Sequence, residues 1–177
     1  MIPSRLAEAG KAGALLFLVA IVQVSILAGV DIFGGTPDLL LVTLVAIALL
    51  RGTLVGAAGG FFAGLVVDTA NLEMLGLTSL LLTVAGYWIG RYGETTGRDR
   101  GHAPFLSVAV VTLLYAFGAL LVHFMLGQHA PAATVAAGVW AAIALNLILT
   151  APVYWIVRRL LRPADWGDRA TEVRLLG

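Results

Sequence analysis

The sequence contains no cysteine and few charged residues. Without cysteine, it can form neither a disulfide framework nor a thiolate metal site. Charged residues make up 12% of the 177-residue chain and hydrophobic residues 60%, whereas a soluble domain has about 25% charged and about 45–50% apolar residues. One small core cannot bury so much apolar surface. We therefore expect an integral membrane protein with short loops and no soluble domain.

The sequence also lacks the motifs of common enzymes. It has no H-E-x-x-H, G-x-S-x-G or P-loop pattern. Its three histidines, His102, His123 and His129, fall on different predicted loops and helices, and no two acids stand at helical spacing within an apolar segment. We therefore expect no catalytic residue, cofactor, metal site or nucleic-acid partner.

Six apolar segments follow one another along the chain. Such segments predict transmembrane α-helices, because the backbone polar groups of a segment in lipid must be paired within it. The predicted helices cover residues 12–30, 37–50, 53–70, 74–90, 104–126 and 132–157. They form one all-α domain of residues 1–160, followed by a cytoplasmic tail of residues 161–177.

The second segment is short, since its apolar run extends only from Leu39 to Leu50. The alternative joins Leu39 to Val67 in one helix and places Arg51 in mid-membrane, at a cost of at least about 2.5 kcal/mol. With six spans, all eleven Lys and Arg residues lie on one side of the membrane. The positive-inside rule makes that side cytoplasmic. We therefore predict a multi-pass protein of the cytoplasmic membrane with both termini inside.

Glycine recurs at every fourth position of the third segment. A step of four residues drifts by only about 40° around an α-helix, so these glycines form one groove along it. Small residues at this spacing let two helix backbones approach closely. We expect the groove to pack against another helix of the chain, or alternatively against a partner protein's helix. The row consists of Gly52, Gly56, Gly60 and Gly64.

Three polar side chains lie towards the predicted outer ends of their helices. Asp68 ends the third helix, His123 is near the end of the fifth, and Gln23 is in the outer half of the first. Because a carboxylate facing lipid is costly, Asp68 should face protein or water. If the three side chains meet, they form either a hydrogen-bonded packing cluster or a ligand or ion site in an outer cavity. Asn146, nearer the middle of the sixth helix, predicts a hydrogen bond between helices.

These features occur in an order that resembles a known family. Pro37 and Asp38 open the second helix, Arg51 closes it, the glycine row leads to Asp68, and Gly76 stands at the start of the fourth helix. In order and spacing this third of the chain resembles MreD, the rod shape-determining membrane protein family of bacteria.

The resemblance implies a role in the complex that builds side-wall peptidoglycan. It implies association with MreC, a single-span protein with an outer domain, and indirectly with the actin-like MreB filament, a RodA-type glycosyltransferase and a transpeptidase. The resemblance implies no catalytic site, in agreement with the absence of enzyme motifs from the sequence. It also implies a fold related to the substrate-binding subunits of energy-coupling-factor vitamin transporters, which have a pocket near the outer face.

Two functional hypotheses follow. The first is a non-catalytic membrane scaffold of the cell-elongation complex that binds an MreC-like partner. The second is a small-ligand-binding membrane subunit of a vitamin or micronutrient transporter. In both cases the basic residues beside the sixth helix are expected to contact anionic membrane lipids.

Overall fold

The computed structural model describes residues 2–71, 76–96, 101–125, 127 and 132–161. In these ranges the chain forms six α-helices and a short 3-10 turn, Leu27–Gly29. The α-helices are α1 (Ile2–Ser25), α2 (Leu39–Arg51), α3 (Thr53–Asn71), α4 (Leu77–Thr96), α5 (Ala103–Met125) and α6 (Ala132–Leu160). The all-α prediction is confirmed for the described residues, although α1 begins earlier and ends earlier than the apolar pattern predicts.

α2 lies at the centre of the bundle. It contacts each of the other five helices, and every residue from Leu40 to Leu49 is buried. A helix that is apolar all round is expected in such a position. The position also explains its length: 13 residues rise only about 20 Å, less than the roughly 30 Å of a bilayer core. Since the surrounding helices cover α2, it does not have to match the lipid.

The surrounding helices expose large apolar side chains. Leu54 is 85% exposed, Phe62 65%, Phe117 65% and Trp140 70%, which suits a surface in contact with lipid. Three helices contain a stretch long and apolar enough to cross a membrane by themselves, namely Glu8–Ser25, Thr53–Ala70 and Ala136–Leu160. This is the architecture of a membrane protein.

A tight turn leads into α2. Ile32 and Gly35 pair as an isolated antiparallel bridge, and the two residues between them, Phe33 and Gly34, both have positive φ. The Asp31 carboxylate accepts a hydrogen bond from the Gly34 N–H at 2.7 Å. Gly35 packs directly on α6, and the turn thereby holds the chain against α6 just before α2 begins.

Candidate functional site

The glycine row of α3 packs against α4. A Cβ added at Gly60 would lie 2.9 Å from the backbone nitrogen of Thr83, and one at Gly56 would lie 3.1 Å from the carbonyl carbon of Gly86. Gly64 meets the backbone of α4 in the same way. The alternative prediction, that a partner protein's helix fills this groove, is therefore wrong. α4 occupies the groove, and the α4 backbone leaves no room for another helix.

Gly52 has a different role from the other three glycines. It is the single residue between α2 and α3, and its φ of 89° and ψ of −172° fall in a region that is essentially restricted to glycine. A Cβ at this position would also collide with the Glu94 carboxylate. Gly52 is therefore required by the turn itself as well as by the neighbouring helix.

Two carboxylates join α3 and α4 at opposite ends of this helix pair. At one end, fully buried Asp68 accepts hydrogen bonds from the backbone N–H groups of Gly76 at 2.8 Å, Thr78 at 3.2 Å and Ser79 at 3.3 Å. These groups belong to the start of α4, where N–H groups have no partner within the helix and the helix dipole is positive. Asp68 therefore caps α4 from the end of α3.

At the other end, Glu94 of α4 caps the start of α3. Its two carboxylate oxygens accept hydrogen bonds from the backbone N–H and the hydroxyl of Thr53, both at 2.8 Å. Each helix thus supplies the carboxylate that its neighbour's N-terminus needs. Sequence reasoning missed Glu94, since the residue that it caps is 41 positions away and no local pattern signals such a contact.

Gln23 holds the chain at the start of α2. Its side-chain nitrogen donates to the Pro37 carbonyl at 3.1 Å, and its side-chain oxygen accepts from the Leu39 N–H at 2.9 Å. Asp38, between them, is the N-cap of α2, because its carboxylate accepts from the Leu41 N–H at 2.8 Å. The amide of α1 and the carboxylate of Asp38 together satisfy backbone groups that the helix start exposes.

Asn146 joins three helices in the interior. Its side-chain oxygen accepts from the Asp38 N–H at 2.8 Å, and its side-chain nitrogen donates to the Thr112 hydroxyl of α5 at 3.1 Å. Asn146 is 1% exposed. It is therefore the link between α6, α5 and the start of α2.

Asp68 and Gln23, which the sequence placed in one possible cluster, have separate partners. Asp68 bonds to the start of α4 and Gln23 to the start of α2. The third candidate, His123, belongs to α5, but its side chain lies outside the described residues. Among the described residues, no group of three or more His, Cys, Asp or Glu side chains could hold a metal ion.

A cavity of about 210 Å³ lies where α1 to α5 converge at the end of the bundle that carries Asp38. We name it the Asp38 cavity. Its polar lining residues are Gln23, Thr36, Asp38, Thr78 and Tyr115. Two of them, Gln23 and Asp38, also hold the start of α2, so the shape of the cavity depends on the same contacts.

A second, larger concavity is a groove of about 580 Å³ between α1 and α3, which we name the α1–α3 groove. Its lining is almost entirely apolar and contains several small residues. The small residues include Ala12 and Gly13 of α1 and Ala58 and Gly59 of α3, which lie beside the larger Leu16 and Phe62.

Arg51 links three helices at the opposite end of the bundle from Asp68. Its guanidinium forms an ion pair with Glu8 of α1 and donates to the Leu161 carbonyl, just after α6, at 2.6 Å. Its side chain is 13% exposed. Arg51 therefore ties the end of α2 to α1 and to the end of α6.

Comparison with known families identifies one that spans this architecture. A family model described as rod shape-determining protein MreD matches residues 9–164. The match extends over every site described above apart from Glu8, and it confirms the predicted resemblance. Comparisons with curated proteins and with solved structures find no match.

Proposed function

Since this chain belongs to the MreD family of rod shape-determining proteins, we propose that it is a non-catalytic scaffold of the cell-elongation complex and binds an MreC-like single-span partner. The family match over residues 9–164 supports the role in rod-shape determination. The scaffold role and the MreC-like partner go beyond this match and are proposed.

The proposal includes six crossings of the cytoplasmic membrane with both termini inside. The helix ends support it, because Glu8, Arg51 and Leu161 meet at one end while Gln23, Asp38 and Asn146 meet towards the other. α1 therefore runs antiparallel to α2 and α6, as six successive crossings require. The central position of α2 removes the objection that its apolar run is too short to span a bilayer.

The hydrogen bonds of the buried polar groups support a structural role. Asp68, Gln23 and Asn146 each bond to the backbone at the start of a helix. Groups that are engaged in this way position helices, whereas a general acid or base needs to reach a substrate proton. The buried polar residues therefore fit a rigid scaffold better than a reaction site.

A partner within the membrane would meet the outer faces of the bundle. The α3 glycine groove is filled by α4, so the faces that remain are those of α1 with α3, of α4, of α5 and of α6, where large apolar side chains are exposed. Helix association in lipid depends on van der Waals fit and interhelical hydrogen bonds. A single-span partner can obtain such fit only on these faces.

The second candidate is a ligand-binding transporter subunit, and the Asp38 cavity is the observation that favours it. Its volume, about 210 Å³, is below the roughly 300–1,000 Å³ of sites for drug-sized ligands. A vitamin-sized ligand would require the surrounding helices to move apart. The scaffold is therefore the better-supported function.

The test is photo-crosslinking between this protein and an MreC-like partner that is expressed with it. A photoreactive phenylalanine analogue replaces one exposed aromatic residue at a time, because it resembles the residue that it replaces and leaves the core unchanged. The positions are Phe17, Phe62, Trp88, Phe117, Trp140 and Trp155, which sample the faces of α1, α3, α4, α5 and α6.

We expect the two proteins to co-purify in mild detergent and to crosslink from one face only. An unrelated single-span protein expressed at the same level is the control and should give no crosslink. If no position crosslinks and the proteins do not co-purify, the partner proposal fails. Saturable binding of a vitamin-sized ligand by the purified protein would then favour the transporter subunit.

A further inference from the structure

The described lining of the Asp38 cavity contains an acid and several hydrogen-bond acceptors. Among these described residues, none is Lys, Arg or His. The Asp38 carboxylate offers about four acceptor positions, and its cap bond to Leu41 uses one of them. The hydroxyls of Thr36 and Thr78 can also accept hydrogen bonds. A ligand of this cavity should therefore be a donor, and a positively charged one is favoured.

The charge around this end of the bundle has the same sign. The loop residue Asp31 precedes α2, and Asp38 and Asp68 lie at the same end. Among the residues whose side chains are described, the basic ones lie towards the opposite ends of their helices; they are Lys11, Arg51, Arg91, Arg158 and Arg159. Charges of one sign around a cleft attract counter-ions to it. The surroundings therefore favour a cation over an anion.

The cavity suits an organic ammonium better than a metal ion. Calcium takes about 6–8 oxygen ligands, several of them carboxylates, whereas Asp38 is the only carboxylate among the described residues that line the cavity. An ammonium group donates three hydrogen bonds, which one carboxylate and two hydroxyls can accept. The volume is roughly seven times the ~30 Å³ that a water molecule occupies, so an aminoethyl group fits.

The cavity is also accessible from the side. Its lining includes Gln23 and Val24 of α1 and Tyr115 of α5, yet α1 and α5 make no contact with each other in the described residues. On this side of the cavity, α1 and α5 therefore do not pack against each other. We take the gap between α1 and α5 as the entry route for a headgroup at the membrane surface.

We propose that the Asp38 cavity binds a primary ammonium group, supplied either by the headgroup of phosphatidylethanolamine or by a free amine. The Asp38 carboxylate forms the charge-assisted bond, and the threonine hydroxyls accept the remaining protons. The bound group would lie beside the Gln23 and Asn146 contacts and so stabilise the start of α2. This site does not depend on partner binding, so the two proposals can fail separately.

The experiment compares Asp38→Asn with Asp31→Asn in nanodiscs. Asparagine caps a helix nearly as well as aspartate, so Asp38→Asn removes the charge while keeping the cap. Asp31→Asn removes a charge from the same end outside the cavity and keeps the oxygen that bonds to Gly34. Native mass spectrometry counts the lipids that each protein retains from discs of phosphatidylethanolamine or of phosphatidylcholine.

We expect the wild type and Asp31→Asn to retain one phosphatidylethanolamine at least tenfold more often than phosphatidylcholine, and Asp38→Asn to lose this preference. Val24→Phe should lose it too, because the added ring fills the cavity without touching the cap; this variant decides the result if Asp38→Asn does not fold. Ethanolamine added to phosphatidylcholine discs distinguishes a lipid headgroup from a free amine as the source of the ammonium group. A saturable rise in the Tm of the wild type would show that a free amine is sufficient. Equal retention of both lipids by the wild type without an ethanolamine effect, or an unchanged preference in Asp38→Asn, would overturn the proposal.

Discussion

The contact between α3 and α4 is tested most directly by Gly60→Ala. The added Cβ would lie 2.5 Å from the Leu82 carbonyl carbon and 2.9 Å from the Thr83 nitrogen. Both atoms belong to the backbone of α4, so no side-chain rotation can make room. The two helices must separate by several tenths of an ångström along their shared face.

The expected cost follows from this geometry. Overpacking a well-packed interior costs typically about 1–3 kcal/mol, and the rigid backbone places Gly60→Ala near the upper end of that range. The gain in helix propensity from glycine to alanine is about 0.5–1 kcal/mol. We therefore expect a net loss of roughly 2 kcal/mol, which corresponds to a Tm lower by about 4–8 °C for a chain of this size.

Gly13→Ala is the matched control. It makes the same substitution within α1, but no atom lies within 4 Å of the added Cβ. Thermal unfolding in one detergent, followed by size-exclusion chromatography, compares the two variants with the wild type. We expect Gly13→Ala to unfold at or slightly above the wild-type temperature. If Gly60→Ala does the same, the close contact between α3 and α4 is refuted.

Three further predictions concern the polar contacts and the topology. Asp68→Asn keeps one acceptor and should fold with a modestly lower Tm. Asp68→Leu leaves three N–H groups unpaired, two of them buried, at about 1–3 kcal/mol for each buried group, and should not yield folded protein. Equal yields of the two variants would contradict the capping role. The double variant Glu8→Gln with Arg51→Gln should lose less free energy of unfolding than the sum of the losses of the two single variants. We expect a coupling energy of at least about 0.5 kcal/mol. Strict additivity would show that the ion pair contributes nothing to stability. A cysteine at Gln128 should react with an impermeant maleimide added outside and one at Arg98 should not; the reverse pattern would refute the proposed orientation.

Local patterns in the sequence are sufficient to predict the fold class and the family. Hydropathy is a property of short segments, so six apolar runs predict six helices without reference to their arrangement. The four-residue glycine spacing similarly predicts a face of close approach. Cap signals are local as well, and Asp38 stands within three residues of the N–H that it accepts from.

The tertiary structure decides which surfaces meet. Periodicity identifies the glycine face of α3 but cannot say whether α4 or a partner's helix fills it, because both would need the same small residues. The burial of α2 is likewise invisible in its sequence, since an apolar run reads the same whether protein or lipid surrounds it.

Long-range hydrogen bonds cannot be predicted from the sequence either. Arg51 bonds to the Leu161 carbonyl 110 positions away, and Asn146 accepts from an N–H 108 positions away. Side chains that satisfy a helix end are chosen by proximity in space, which the order of residues does not encode. The sequence alone therefore identified Asp68, Gln23 and Asn146 as polar groups that need partners, and only the packing of the helices decided that those partners are the starts of α4 and α2.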